Sequence, residues 1–363
     1  MKTSLLLSIL GSVAAAGLVT TLVSVQSTDS PETRAILFVH GLGDDGSDWG
    51  RRGFLDALSP DERVYFAGDF SLSGNTSIVL DTGNANTPTQ QDDFPIYTIS
   101  FTDGGTGNIR QSGEELSRVV EILKTRHPGA RISLVGFSLG GIISREYLTT
   151  CTEGEVGDIS QLITISSPHS GSELALIPHC WRQWKGMPPA DPSTAPEQVK
   201  LPSLVNEYQA RAVEAFAAGL PFPLDSEGAA MLVPPDLGGA YLAELNSRPH
   251  PDSVKYVSIL TEKNLMTVTL RDMIAWSEQD SQLAERLKWV VLDWMRSGIR
   301  LTYDVNAPDD FMNGDGAVSL LSQDLNQIPA FSETPLEARI YRIDGAHSEQ
   351  NLSSELTALL LAR

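Results

Sequence analysis

A serine held between two glycines, Gly136-Phe137-Ser138-Leu139-Gly140, is the first place in this sequence where chemistry can be read. A serine hydroxyl is a weak nucleophile until a base takes its proton and a carboxylate holds that base in one orientation. The flanks say more than the pattern. Ile132-Ser133-Leu134-Val135 reads as a buried strand and Leu139–Leu148 as a helix, so Ser138 is expected on a sharp strand-to-helix turn that presents a nucleophile. Side chains two residues to either side would collide across such a turn, which accounts for both glycines. An ordinary glycine-rich turn is the alternative.

The base must come from six histidines. His40 ends an apolar run, His127 ends a helical pattern beside Pro128, and His169, His179 and His250 are followed by loops or an inserted stretch. His347 lies just past the last strand-like run, where a loop can swing an imidazole toward Ser138. For the carboxylate, Asn313-Gly314-Asp315-Gly316 is a tight turn ahead of that run, and the order Ser138, Asp315, His347 is the chain order of such a set. Asp304, Asp309, Asp310 and Asp344 compete with Asp315. A developing oxyanion needs donors, and the backbone N–H groups of Leu42, in His40-Gly41-Leu42-Gly43, and of Leu139 can converge on one oxygen. His40 itself reads as a hydrogen-bonded structural histidine.

Short β-branched runs must position these residues: Ala35–His40, Arg63–Ala67, Ile96–Phe101, Ile132–Phe137, Leu162–Ser166, Val254–Leu260 and Arg339–Ile343. Being apolar almost throughout, they predict strands buried on both faces, hence an α/β fold with a mostly parallel central sheet flanked by helices. The helix ahead of the fourth core strand is expected to start at Ser112 as N-cap, with Glu115 three residues on and Leu116, Val119, Val120 and Leu123 on one face. Two stretches break the alternation. Residues of about 173–250, rich in proline, read as an inserted helical cap or lid, and about 264–302, with Trp276, Trp289 and Trp294, as a second helical insertion. The latter is read as core packing, with docking on a lipid surface as the alternative.

The chain has 363 residues, Lys+Arg 26 against Asp+Glu 46, and a net charge of −20, so nucleic acid is excluded as a partner. Residues 1–27 carry one charge, Lys2, then an apolar stretch ending in Val25-Gln26-Ser27, which reads as a cleaved signal peptide with an uncleaved anchor as the alternative. Export, to the periplasm or outside, follows in either case and permits a Cys151–Cys180 disulfide. Oligomeric state is not readable.

Three blocks carry a resemblance: Phe38-Val39-His40-Gly41-Leu42-Gly43, then Leu134 to Gly141 running into Ser144-Arg145-Glu146-Tyr147-Leu148, then Ile163 to Ser172 around Ser167-Pro168-His169. In order and spacing they resemble the α/β-hydrolase lipases and esterases of the bacterial triacylglycerol lipase type, over roughly residues 34–172 and 310–350. The resemblance implies a Ser138–Asp315–His347 triad, Leu42 and Leu139 as the oxyanion hole, and a lid at 173–250. One departure is Phe137, where those lipases usually carry histidine, and it bears on substrate preference. The stretch from Asp61 to Asp93 is also longer than a minimal member needs. Asp44, Asp45 and Asp48 read as solvated acids, with a structural Ca²⁺ as the less favoured reading, and no other cofactor is expected. The expected activity is serine-dependent hydrolysis of a lipid or other acyl ester. A short-chain esterase or an acyltransferase is the near alternative, and a non-catalytic binding module the distant one.

Overall fold

The computed structural model describes residues 34–58, 64–73, 77–83, 85–86, 94–172, 175, 223, 226–262, 315, 317–343 and 347. All lie in one compact unit, Thr33–Arg363. The expected leader, most of the expected cap, the 264–302 insertion, Cys180 and the three tryptophans of that insertion lie outside the described residues.

Among the described residues eight strands form one sheet: β1 (Arg34–Val39), β2 (Val64–Ser73), β3 (Ser77–Asp81), β4 (Phe94–Ser100), β5 (Arg131–Phe137), β6 (Ile159–Ile165), β7 (Lys255–Thr261) and β8 (Ala338–Ile343). Their spatial order is β3-β2-β4-β1-β5-β6-β7-β8, and every neighbouring pair is parallel except β2 with β3. Seven of the eight coincide with the apolar runs. β3 was not anticipated, because an edge strand buries little: its residues alternate exposed and half-buried, and Val79 stands 57% exposed. It occupies part of the long 61–93 stretch.

Alternation along the central strands explains why their runs are apolar without a break. Ala35, Leu37 and Val39 of β1 enter one core with Ile132 and Leu134 of β5, whereas Ile36 and Phe38 enter a second core with Val135 and Phe137. Successive side chains point to opposite faces, so a sheet covered on both sides needs apolar residues at every position. The first core is closed by α3 (Ile109–Arg126) and α4 (Leu139–Thr150), the second by the short helices α1 (Asp48–Arg51) and α2 (Phe54–Leu58), through Trp49 and Phe54. Leu116, Val119, Val120 and Leu123 are buried as expected.

The start of α3 is a correction. Its N-cap is Asn108, whose side-chain oxygen accepts from Arg110 N at 3.0 Å, while Ser112 is buried inside the helix. Glu115 does not reach back to a cap. It accepts from the N–H and hydroxyl of Thr102, after β4. Asparagine caps as well as serine, and the glutamate found a better partner across the fold. Residues 226–247, expected within the cap, contribute Met231, Leu232, Val233, Tyr241, Leu242 and Leu245 to the first core. Among the described residues no helix is long and apolar enough to cross a membrane.

Candidate active site

Parallel strands bring their carboxyl ends to one edge, and the residues singled out by chemistry sit there. His40 to Leu42 follow β1, Ser138 follows β5, Ser166 follows β6, Thr261 ends β7 and His347 follows β8. Ser138 takes φ 50° and ψ −120°, a conformation that L-residues rarely adopt. Its N–H donates to Ile165 O at 2.8 Å, so the neighbouring strand holds the turn in place. The glycines fit their expected reason: a Cβ on Gly136 would lie 2.5 Å from Gly141 N, and one on Gly140 would run into the Val39 carbonyl.

Three side chains expected to act together are brought together. His347 Nε2 lies 2.8 Å from Ser138 Oγ, and His347 Nδ1 lies 2.8 Å from Asp315 Oδ2. Asp315 is fully buried, and its carboxylate is met by four donors. Oδ2 accepts from His347 and from the Thr261 hydroxyl at 2.8 Å, and Oδ1 accepts from Ala317 N at 3.0 Å and Val318 N at 2.8 Å. His347 N also donates to Asp315 O at 3.1 Å, so backbone and side chain join the two loops. With Nδ1–H committed to the carboxylate, Nε2 faces the serine as an acceptor. The competing Asp304, Asp309, Asp310 and Asp344 lie outside the described residues.

Phe137 accounts for the departure noted beside the serine. Its ring packs in the second core, 5.1 Å from the His347 ring and 6.3 Å from Trp49, and the Arg52 guanidinium lies 4.3 Å over it. Arg52 also donates to His347 O at 3.4 Å and pairs with Asp44 at 3.3 Å and with Asp48. The acids beside the β1 turn are therefore engaged by arginines: Arg51 meets Asp45 and Asp48, and Asp45 accepts from Ser47. Among the described residues no group of three metal-ligating side chains could hold an ion. The Arg51 and Arg52 contacts were missed in the sequence, where only the acids stood out.

The β1 turn lies against the serine. A Cβ on Gly41 would sit 3.3 Å from Ser138 Cβ, and Gly43 N is tied to Gly104 O at 2.8 Å. Leu42 lies in this turn and Leu139 opens α4, where an N–H has no carbonyl one turn back to bond. His40 is buried and bridges outward from the site, with Nδ1 at 2.7 Å from Gly41 O and Nε2 accepting from Phe101 N at 3.3 Å. Burial holds its pKa below the usual imidazole value, so it is a neutral brace for the turn.

The other described histidines bond elsewhere. His127 lies 2.8 Å from the Tyr97 hydroxyl. His169 and His250 both face Arg145, a fully buried arginine of α4. Its Nη1 lies 3.4 Å from His169 Nδ1, its Nε donates to His250 Nε2 at 3.1 Å, and its Nη2 to Asn246 Oδ1 at 2.8 Å. Burial first, then the arginine charge, pushes His250 down to about 3 and His169 well below its ordinary value. Burial also lowers Arg145 itself, to about 10.

Comparison with known proteins is consistent with this geometry. The model of the palmitoyl protein thioesterase family matches residues 35–215. The mature form of lipase BlEst2 from Bacillus licheniformis superposes at a TM-score of 0.50 with 14% identity, covering 91% of this chain and 91% of its own. The product of gene lin2722 from Listeria innocua gives 0.47 and 15%, covering 92% and 95%. No curated protein sequence matches. With its parallel sheet, its serine on the turn after β5 and the likeness to lipase BlEst2, the chain has the α/β-hydrolase fold.

Proposed function

We propose that the protein is an exported serine hydrolase that cleaves a carboxylic acyl ester through Ser138, His347 and Asp315. The reading is carried by the unbroken hydrogen-bonded row from Ser138 Oγ through the His347 ring to Asp315, built on a positive-φ serine. In the first step Ser138 Oγ bonds to the acyl carbon while His347 Nε2 takes the hydroxyl proton, and Asp315 balances the imidazolium that forms. The N–H groups of Leu42 and Leu139 stabilise the oxyanion, each worth roughly 3 kcal/mol of barrier. The leaving alcohol departs with the proton from His347, and water releases the acid from the acyl-enzyme by the same route. The chemistry needs no resident cofactor.

A thioester is the second reading, favoured by the palmitoyl protein thioesterase match over residues 35–215. A thiolate leaves more readily than an alkoxide, so the same row serves both. The apolar segment 1–27 supports export, and lipid esters are the favoured substrates. Hydrolysis of p-nitrophenyl esters from acetate to palmitate, beside palmitoyl-CoA, tests these assignments on the full chain. Wild type is expected to turn over at least one long-chain substrate, and Ser138→Ala to lose at least about four orders of magnitude in kcat. A fluorophosphonate should label wild type and spare the variant. Activity or labelling that survives Ser138→Ala would remove this reading.

A further inference from the structure

Beyond the three residues that would act on substrate, the floor of the site holds a polar cluster with no role in the steps above. Thr261, Ser166 and Gln323 are each at most 1% exposed, so every polar atom they carry must be satisfied inside the protein. Thr261 Oγ1 lies 2.8 Å from Asp315 Oδ2 and 2.7 Å from Ser166 Oγ. A hydroxyl has one proton, and an ionised carboxylate only accepts. Thr261 therefore donates to Asp315, and the Ser166 hydroxyl must donate to Thr261. Direction is thus set along the row: Ser166 to Thr261 to Asp315, with His347 donating to the same oxygen from the other side.

Gln323 fixes the middle of this row. Its Nε2 lies 3.1 Å from Thr261 O and 3.0 Å from Val318 O, both acceptors, and its Oε1 accepts from Thr261 N at 2.7 Å. Only one orientation of the amide satisfies all three contacts. The same side chain thereby pins the end of β7 to the turn whose N–H groups hold Asp315 Oδ1. Ser166 adds a second observation. It is the only described non-glycine residue besides Ser138 with positive φ, at 53°, and its N–H donates to Ile259 O at 3.0 Å. A strained backbone persists where its surroundings over-determine it. Here the strain places the hydroxyl against Thr261.

We propose that Thr261, supported by Ser166 and Gln323, is a positioning residue that orients the Asp315 carboxylate toward His347 and so sets the basicity of the base. This rests on the serine-hydrolase reading. A chain of hydrogen bonds polarises along its length, so each hydroxyl strengthens the next donor. Without the Thr261 proton, Asp315 Oδ2 keeps His347 as its donor among the described residues, leans on it harder, and holds the imidazolium more tightly. Among the described residues the other charges near His347, Arg52 with Asp44 and Asp48, are untouched by that change.

Thr261→Val removes the hydroxyl and keeps the shape, and Thr261→Ser keeps the hydroxyl. Both are compared with wild type as full chains, with kcat and KM measured separately across pH. Thr261→Val is expected to lower kcat about tenfold at unchanged KM, the loss of one hydrogen bond to a charged group, and to move the acid limb of the kcat/KM profile to higher pH. Thr261→Ser should restore both. Ser166→Ala should move the limb the same way by less, and it carries the test if Thr261→Val does not fold. A role in packing alone would lower Tm and leave the limb where it is, or would leave the serine variant as impaired as the valine one, and either result overturns the proposal. If wild type proves inactive on every ester and thioester, the hydrolase reading has failed by itself. The network is then read by the NMR titration of ¹⁵N-labelled His347, which must move in Thr261→Val for the proposal to stand.

Discussion

Asp315 and Asp324 show what separates two aspartates in neighbouring turns. Asp315 has no exposed surface and four donors to its carboxylate, His347 among them, whereas Asp324 caps a short turn through Asn326 N at 2.9 Å. Asp315→Asn keeps the size but puts an N–H where His347 needs an acceptor, so kcat is expected to fall by about 10⁴ with the fold intact by circular dichroism. Asp324→Asn should cost at most about 1 kcal/mol of stability and leave kcat alone. Reversal of those two rankings in a kinetic comparison would displace Asp315 as the orienting acid. The residues that hold it were not readable in advance: Thr261 lies 54 positions from Asp315 and 62 from Gln323, and Arg52 lies 295 from His347. No local pattern spans such separations.

At the scale of an element, the turn from β5 into α4 leaves no room at its glycines. Gly140→Ala would press a methyl group into the Val39 carbonyl, which is backbone and cannot step aside. Loss of soluble protein or of several kcal/mol in urea unfolding is the expected result. Gly154 is the contrast, inside the short helix α5 (Glu153–Val156) with nothing within 4 Å of an added Cβ. Gly154→Ala should be neutral or stabilise by roughly 0.5 kcal/mol, because it restricts only the unfolded chain. Equal unfolding midpoints for the two variants would contradict the close-packed turn. The glycines were legible because a motif states a steric need in sequence. The start of α3 was not, since Asn108 and Ser112 both qualify as caps, and the preference was decided by Glu115 turning to Thr102.

Across the whole molecule, the buried Arg145 makes a prediction about acid. His250 is held down to about 3 in the fold, and His169, His40 and His127 are also lowered, chiefly by burial, while in the unfolded chain each returns to about 6.5. The unfolded state therefore binds more protons below pH 6.5, and stability must fall as pH drops toward about 3. Each of the buried histidines His40, His169 and His250 contributes up to about 1.4 kcal/mol per pH unit in that window. Urea unfolding between pH 6.5 and 5, where most carboxylates stay ionised, should show the slope. His250→Gln keeps an acceptor for Arg145 and should flatten it by close to one proton, and an unchanged slope would show that His250 is not held neutral. Arg248, Tyr241 and Tyr256, packed around this cation, are all raised above their ordinary values and do not titrate in that range.

The sequence by itself determined the α/β class, seven of the eight strands and the turn at Ser138, because each is a local consequence of side-chain period or steric crowding. It also singled out His347 and Asp315, through their place beside strand ends and turns. Only the tertiary structure decided that these two meet Ser138 in one row, that Phe137 and Arg52 back the His347 loop, and that Thr261, Ser166 and Gln323 lie beneath Asp315. Parallel strands gather their carboxyl ends at one edge whatever their distance in sequence, and hydrogen bonds form between whichever buried polar groups arrive there.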